Sequence, residues 1–155
     1  SGLLLKVHKI SKPEMPLISY QDISTFKLFL NDVGLLSAMT NLSIKTFVTG
    51  DELFTQFKGA LTEQFVLQQL RSIELDYIGY WTNEKSTTEV DFVIQHKGKI
   101  IPIEVKSGEN LRAKSFKHFC SKYKPEVAIR TSLTDFKKES WMINVPLYII
   151  GDFFN

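Results

Sequence analysis

The chain is poor in the residues that hold small secreted folds and zinc centres together. One cysteine, Cys120, among 155 residues leaves no internal disulfide framework and fits a reducing, cytoplasmic compartment. Three scattered histidines beside that single cysteine give no zinc-ligand spacing. No apolar run approaches the roughly 20 residues that span a bilayer. Leu3-Leu4-Leu5 is too short for a signal-peptide core and has no small-residue cleavage site near it, so no membrane association is expected. A GxxxxGK(S/T) phosphate loop is missing, which excludes nucleotide binding by that route. Repeats and low-complexity tracts are missing too. What remains is 43% hydrophobic and 23% charged, the profile of one soluble domain long enough for a real core.

The most informative stretch is 89–108, EVDFVIQHKGKIIPIEVKSG. Two short apolar runs, 90–95 and 100–105, flank His96-Lys97-Gly98-Lys99, a hairpin signal. A two-residue turn at Lys97-Gly98 places Asp91 directly opposite Glu104, and Glu89 opposite Lys106. Side chains alternate faces along a strand, so Asp91, Glu104 and Lys106 share one face. Val90, Phe92, Ile94, Ile101, Ile103 and Val105 then share the other. Opposed carboxylates at that spacing repel each other. A hard divalent cation such as Mg²⁺ or Mn²⁺ between them removes the repulsion. The bland alternative is a solvated face with Glu89–Lys106 and Glu104–Lys106 surface ion pairs.

Net charge is only +2, but it is unevenly spread. Residues 97–124 hold eight basic side chains against two acids. Lys97, Lys99, Arg112 and Lys114 are therefore candidate phosphate contacts. The competing reading makes Lys114, Lys117, Lys122 and Lys124 the wet face of one helix.

The longest helical pattern covers 51–73. On its wheel Glu63 falls in the middle of an arc made by Ala60, Val66, Leu67 and Leu70. A second strip, Phe57, Leu61 and Phe65, lies nearly opposite. A carboxylate in a buried arc needs a partner, either a structural cation or the hairpin's polar face. Strands are predicted over 3–10, around Phe26, Leu28 and Leu30, over 77–81, 126–131 and within 140–150, where Pro146 argues for an edge. Asp32 is placed to cap a short helix carrying Leu35, Leu36 and Met39. Residues 40–50 read as loop and turn. A second amphipathic helix is predicted over 112–122, with Phe116 and Phe119 inward. The result is an α/β three-layer sandwich with a mixed central sheet flanked by helices.

Glu63, then Glu89-Val90-Asp91, then Glu104-Val105-Lys106 resembles the PD-(D/E)XK nuclease superfamily, which has a restriction-endonuclease-like fold. The resemblance implies Asp91 and Glu104 as metal ligands, helped by the Val105 carbonyl. It implies Lys106 as the group that orients or deprotonates water, and Glu63 as the helix acid. Val90 stands where the motif's proline would be. The phrases FKLFLNDVGLLSAM (26–39), KGALTEQFVLQQL (58–70), YWTNEKSTTEVDF (80–92) and IPIEVKSG (101–108) narrow the likeness. Together they resemble the carboxy-terminal domain of a prokaryotic AAA+ ATPase family, a domain of unknown function. By that likeness, 1–20 is the tail of a linker from an upstream ATPase module and 21–155 is the nuclease-like domain. The start Ser1-Gly2, with no initiator methionine, fits either an expression scar or a removed upstream region.

Three functions compete on these residues. The first is Mg²⁺-dependent phosphodiester hydrolysis on DNA, with the ATPase moving the substrate. The second is a catalytically silent module that docks nucleic acid or protein for the ATPase. The third is an adaptor that uses aromatics at Phe153-Phe154 to contact another domain.

Overall fold

The computed structural model describes residues 3–32, 34, 52–85, 87–108 and 111–155. The helix expected to follow Asp32 and the loop expected over 40–50 lie outside the described residues. Among the described residues, eight strands form one mixed sheet. These are β1 (Leu4–Ile10), β2 (Gln21–Leu30), β3 (Tyr77–Thr82), β4 (Glu89–His96), β5 (Lys99–Val105), β6 (Ile129–Ser132), β7 (Lys137–Lys138) and β8 (Ile143–Pro146). Their order across the sheet is β2-β1-β3-β4-β5-β6-β8-β7. Residues 1–20, expected to be linker, supply β1 between β2 and β3, and they seat Leu17 in the core.

Two helices are described, α1 (Glu52–Arg71) and α2 (Lys114–Tyr123). In α1, Val66, Leu67 and Leu70 recur at helical spacing and are buried together with Phe92, Ile94, Ile101 and Ile103. In α2, Phe116, Phe119 and Cys120 pack with Trp81, Val90 and Val93. Phe92 and Ile94 alternate with Val93 along β4, so the two helices cover opposite faces of the sheet. The chain is thus α/β with a mixed sheet and a helix on each side. Burial and the nearby Glu104 push the Cys120 thiol up to about 12, which makes it an inert core residue.

The β4–β5 hairpin has the expected register. Phe92 pairs with Ile103, Val93 with Pro102, Ile94 with Ile101, Gln95 with Ile100 and His96 with Lys99. The turn residues Lys97 and Gly98 have φ of 48° and 75°, the left-handed pair that a tight hairpin needs. Pro102 is tolerated in a central strand because parallel pairing with β6 begins only at Ile103.

The structure corrects the face of Val90 and the edge position of the strand expected within 140–150, and it assigns the faces of the strand expected around Phe26, Leu28 and Leu30. Val90 does not share a face with Phe92: β3 pairs Gly79 with Val93 but Trp81 with Val90. β4 therefore uses one residue more than β3 between those pairs, and this bulge turns Val90 toward α2. In β2, Phe29 is the buried residue, while Phe26 and Leu28 stay exposed. Lys27 consequently lies on the inner face. β8 is not the edge strand, because β7 lies outside it. β7 reaches only Ile143 and Asn144, so Pro146 still sits where the outer side of β8 is open.

Candidate carboxylate site at the fork of two strands

β4 and β5 part company after the Phe92–Ile103 pair. A continuing ladder would bond the Val105 N–H to Val90. Instead the Val105 N–H donates to Asp91 Oδ2 at 2.7 Å. The bulge thus frees a backbone donor, and the Asp91 carboxylate takes the place of a strand carbonyl. Val105 enters the site through this N–H.

One strand over, Glu104 is buried, and its Oε1 accepts from Lys106 Nζ at 2.9 Å. Their side chains are only 10% and 24% exposed, so this is not the solvated surface pair of the bland reading. Glu104 Oε2 is buried with no hydrogen-bond partner. The Lys106 N–H is fixed by the Thr131 carbonyl at 2.9 Å, which anchors the turn out of β5.

α1 supplies the third acid. Gln64 holds the helix to the end of β2, accepting from the Leu30 N–H at 2.9 Å and donating to the Leu30 carbonyl. That clamp brings Glu63 to Lys27, with Nζ 3.8 Å from Oε2. Lys27 also bonds Glu89 and lies over the Tyr80 ring at 4.9 Å. Glu89 is therefore the partner of Lys27, not of Lys106.

The electrostatics follow from this crowding. Burial raises Glu63 to about 7; Asp91, Glu89 and Glu104 push the same way, and Lys27 offsets them only in part. Burial likewise lifts Asp91 to about 6 against the Val105 N–H and Lys27. Glu104 rises to about 7 through burial and Asp91, despite its bond to Lys106. Burial alone would depress Lys27, but Glu63, Glu89 and Asp91 outweigh it and raise it. Four carboxylates, Glu63, Glu89, Asp91 and Glu104, thus share two ammonium groups.

The candidate phosphate contacts are scattered. Lys97 sits in the hairpin turn, and Lys99 pairs with Glu126 at 3.0 Å. Five residues of strand put Lys99 about 17 Å from Glu104. Arg112 and Lys114 are exposed at the start of α2. Phe154 is buried, with His96 edge-on to its ring and Phe153 packed beside it. This removes the exposed aromatic pair on which the adaptor reading rested.

Two polar residues in the sheet escaped sequence reasoning. Lys27 was hidden because its strand is apolar on both sides, which left the inner face ambiguous. Arg130, in a run read simply as a buried strand, is 7% exposed and is the register partner of Glu104. An arginine inside an apolar run was the available signal. Among the described residues no group of three or more His, Cys, Asp or Glu side chains is set to hold a metal. No described helix is long and apolar enough to cross a membrane.

A family model for a domain of unknown function (DUF4143) matches residues 58–150, from within α1 to just past β8. No curated protein and no solved structure matches the chain.

Proposed function

The chain belongs to the DUF4143 family, a domain of unknown function, and within it we propose a metal-dependent phosphodiesterase acting on DNA. On this reading the sheet and its two helices are a restriction-endonuclease-like core, and an AAA+ ATPase module in the same polypeptide moves the substrate. The observation that carries the reading is the crowding of four carboxylates around two ammonium groups at the strand fork, with the buried Glu104 Oε2 left without a partner. Buried charge without compensation is costly. An excess of carboxylate over ammonium suits one Mg²⁺ or Mn²⁺, which take oxygen donors of this kind.

Asp91 and Glu104 would hold the cation, with the Val105 carbonyl as a further oxygen. When bound, the ion supplies Lewis-acid polarisation of a phosphoryl oxygen and acidifies water. The chain's own groups do the rest. Lys106, a quarter exposed and oriented by Glu104, places an ammonium beside the carboxylates. There it orients water and offsets the charge that grows on a phosphodiester. Glu63, with its raised pKa, can accept a proton near neutral pH.

A second reading has its own support. Lys27 already occupies Glu63 and Glu89, and the Val105 N–H already occupies Asp91. A site satisfied in this way suits a catalytically silent module that binds nucleic acid or protein for the ATPase.

Cleavage of DNA by this chain, and by the ATPase-linked polypeptide, decides between them. The nuclease reading expects cleavage only with Mg²⁺ or Mn²⁺, and a loss of about 10²-fold or more in Asp91→Ala and Lys106→Ala. Calorimetric metal binding should weaken in Asp91→Ala and hold or tighten in Lys106→Ala, where a nearby cation is gone. DNA binding that survives both substitutions, with no metal-dependent cleavage, selects the silent module.

A further inference from the structure

Beyond the carboxylate fork, Arg130 of β6 and the segment that follows the carboxyl end of β6 border a cleft of about 510 Å³, lined by Arg130, Thr134, Phe136, Lys137 and Glu139, among others. Carboxyl ends of parallel strands are where open α/β sheets present ligand sites. The floor of this one is rigid. Asn144 is fully buried; its Oδ1 accepts from Arg130 Nε at 2.9 Å and Ser132 Oγ at 2.8 Å. Its Nδ2 donates to the Thr134 carbonyl, Thr134 Oγ1 and the Asp135 carbonyl. One amide therefore fixes both the guanidinium and the loop that follows β6. A second guanidinium nitrogen, Nη1, donates to the Leu111 carbonyl at 3.1 Å.

The third nitrogen faces the cleft. Arg130 Nη2 meets Glu139 Oε1 only at 3.8 Å, and Lys137 Nζ meets the same oxygen at 3.7 Å. Both distances are too long for a hydrogen bond. A buried arginine and a lysine thus flank one loosely held carboxylate, the geometry in which an anion with more acceptor oxygens binds better. Phe136 stands in the same cleft and is 54% exposed. An exposed aromatic beside a cationic clasp is a stacking platform for an unpaired base.

We propose that this cleft is a single-strand subsite, in which Arg130 and Lys137 take a backbone phosphate, Phe136 stacks the attached base, and Glu139 holds the clasp when no strand is bound. The proposal rests on the nuclease reading for what the strand is doing there. Arg130 is one strand, about 4.8 Å, from Glu104 in the sheet. A strand in the cleft therefore runs directly on from the carboxylate fork. It names the substrate as DNA with an unpaired segment, such as a frayed end or a flap. A base stacked on Phe136 cannot remain in a duplex.

The test is fluorescence anisotropy in EDTA with a labelled single strand and with the blunt duplex of the same sequence, using the intact chain. Phe136→Ala should weaken single-strand binding by about 5-fold to 150-fold and leave the duplex unchanged. Glu139→Gln should tighten single-strand binding several-fold, because it removes the competing anion. Lys137→Ala should weaken it and flatten its salt dependence. All three positions are exposed or half-exposed, so the variants should fold. Equal losses for single strand and duplex in Phe136→Ala, or no gain in Glu139→Gln, overturn the proposal. Metal-dependent cleavage together with wild-type binding by these variants sinks the subsite alone. The expected binding changes without cleavage of any DNA sink the nuclease reading and leave the subsite standing.

Discussion

Glu104 shows how one buried acid links stability to pH. Its folded pKa lies near 7, against 4.5 for an ordinary glutamate. A carboxyl whose pKa is higher folded than unfolded binds more protons in the native state. Stability therefore falls as pH rises between those values. The cost is absent below about pH 4.5 and complete above about pH 7. Asp91 and Glu63 shift the same way and add to the slope. Glu104→Gln removes the charge and keeps the shape. In EDTA at pH 8 it should be more stable than the parent by about 1–3 kcal/mol, with the gap closing toward pH 4. Urea melts at the two pH values measure this. An unchanged gap would mean that Lys106 already neutralises Glu104. Lys27 carries the opposite lesson at the same scale. Sequence alone could not tell that a lysine between Phe26 and Leu28 faces inward, because both of its neighbours are apolar and both are exposed.

The β4–β5 hairpin was largely legible because its register follows from turn length and alternation, which are local properties. Its far end was not, because the bulge in β4 depends on how β3 pairs with it. The bulge gives Asp91 a backbone duty that no spacing rule predicts, acceptor for the Val105 N–H. Asp91→Asn keeps an acceptor oxygen and sheds the charge. Asp91→Ala leaves a donor unpaired, at a cost of about 1–3 kcal/mol. The asparagine variant should accordingly be the more stable of the two. The Val105 amide should exchange with solvent faster in the alanine variant only. If both variants melt alike and protect Val105 equally, the carboxylate is not holding the fork. Metal-dependent activity should fall in both, which separates the structural duty of Asp91 from the chemical one.

Across the whole molecule, the sheet divides a basic stretch that is continuous in sequence. Residues 97–124 read as one electrostatic footprint, and composition could say no more, since which charges meet is set by the β5–α2–β6 crossover. α2 leaves the carboxyl end of β5 and returns to the amino end of β6. Lys97 and Lys99 therefore stand at one pole, where Lys99 lies beside Tyr123 and bonds Glu126. Lys106, Arg112 and Lys114 belong to the other pole, tethered there by the Leu111 carbonyl on Arg130. Only that second pole adjoins the carboxylate fork and the Arg130 cleft. Each lost phosphate contact should make the plot of log affinity against log salt shallower by roughly 0.7–0.9. The paired change Arg112→Ala with Lys114→Ala should therefore weaken DNA binding and lower the slope by about 1.5. Lys97→Ala with Lys99→Ala should leave both affinity and slope where they were. Anisotropy titrations from 50 to 200 mM salt read both quantities. A slope that drops equally for the two pairs would mean that DNA runs along the hairpin from pole to pole, with the carboxylate fork at one end of its track.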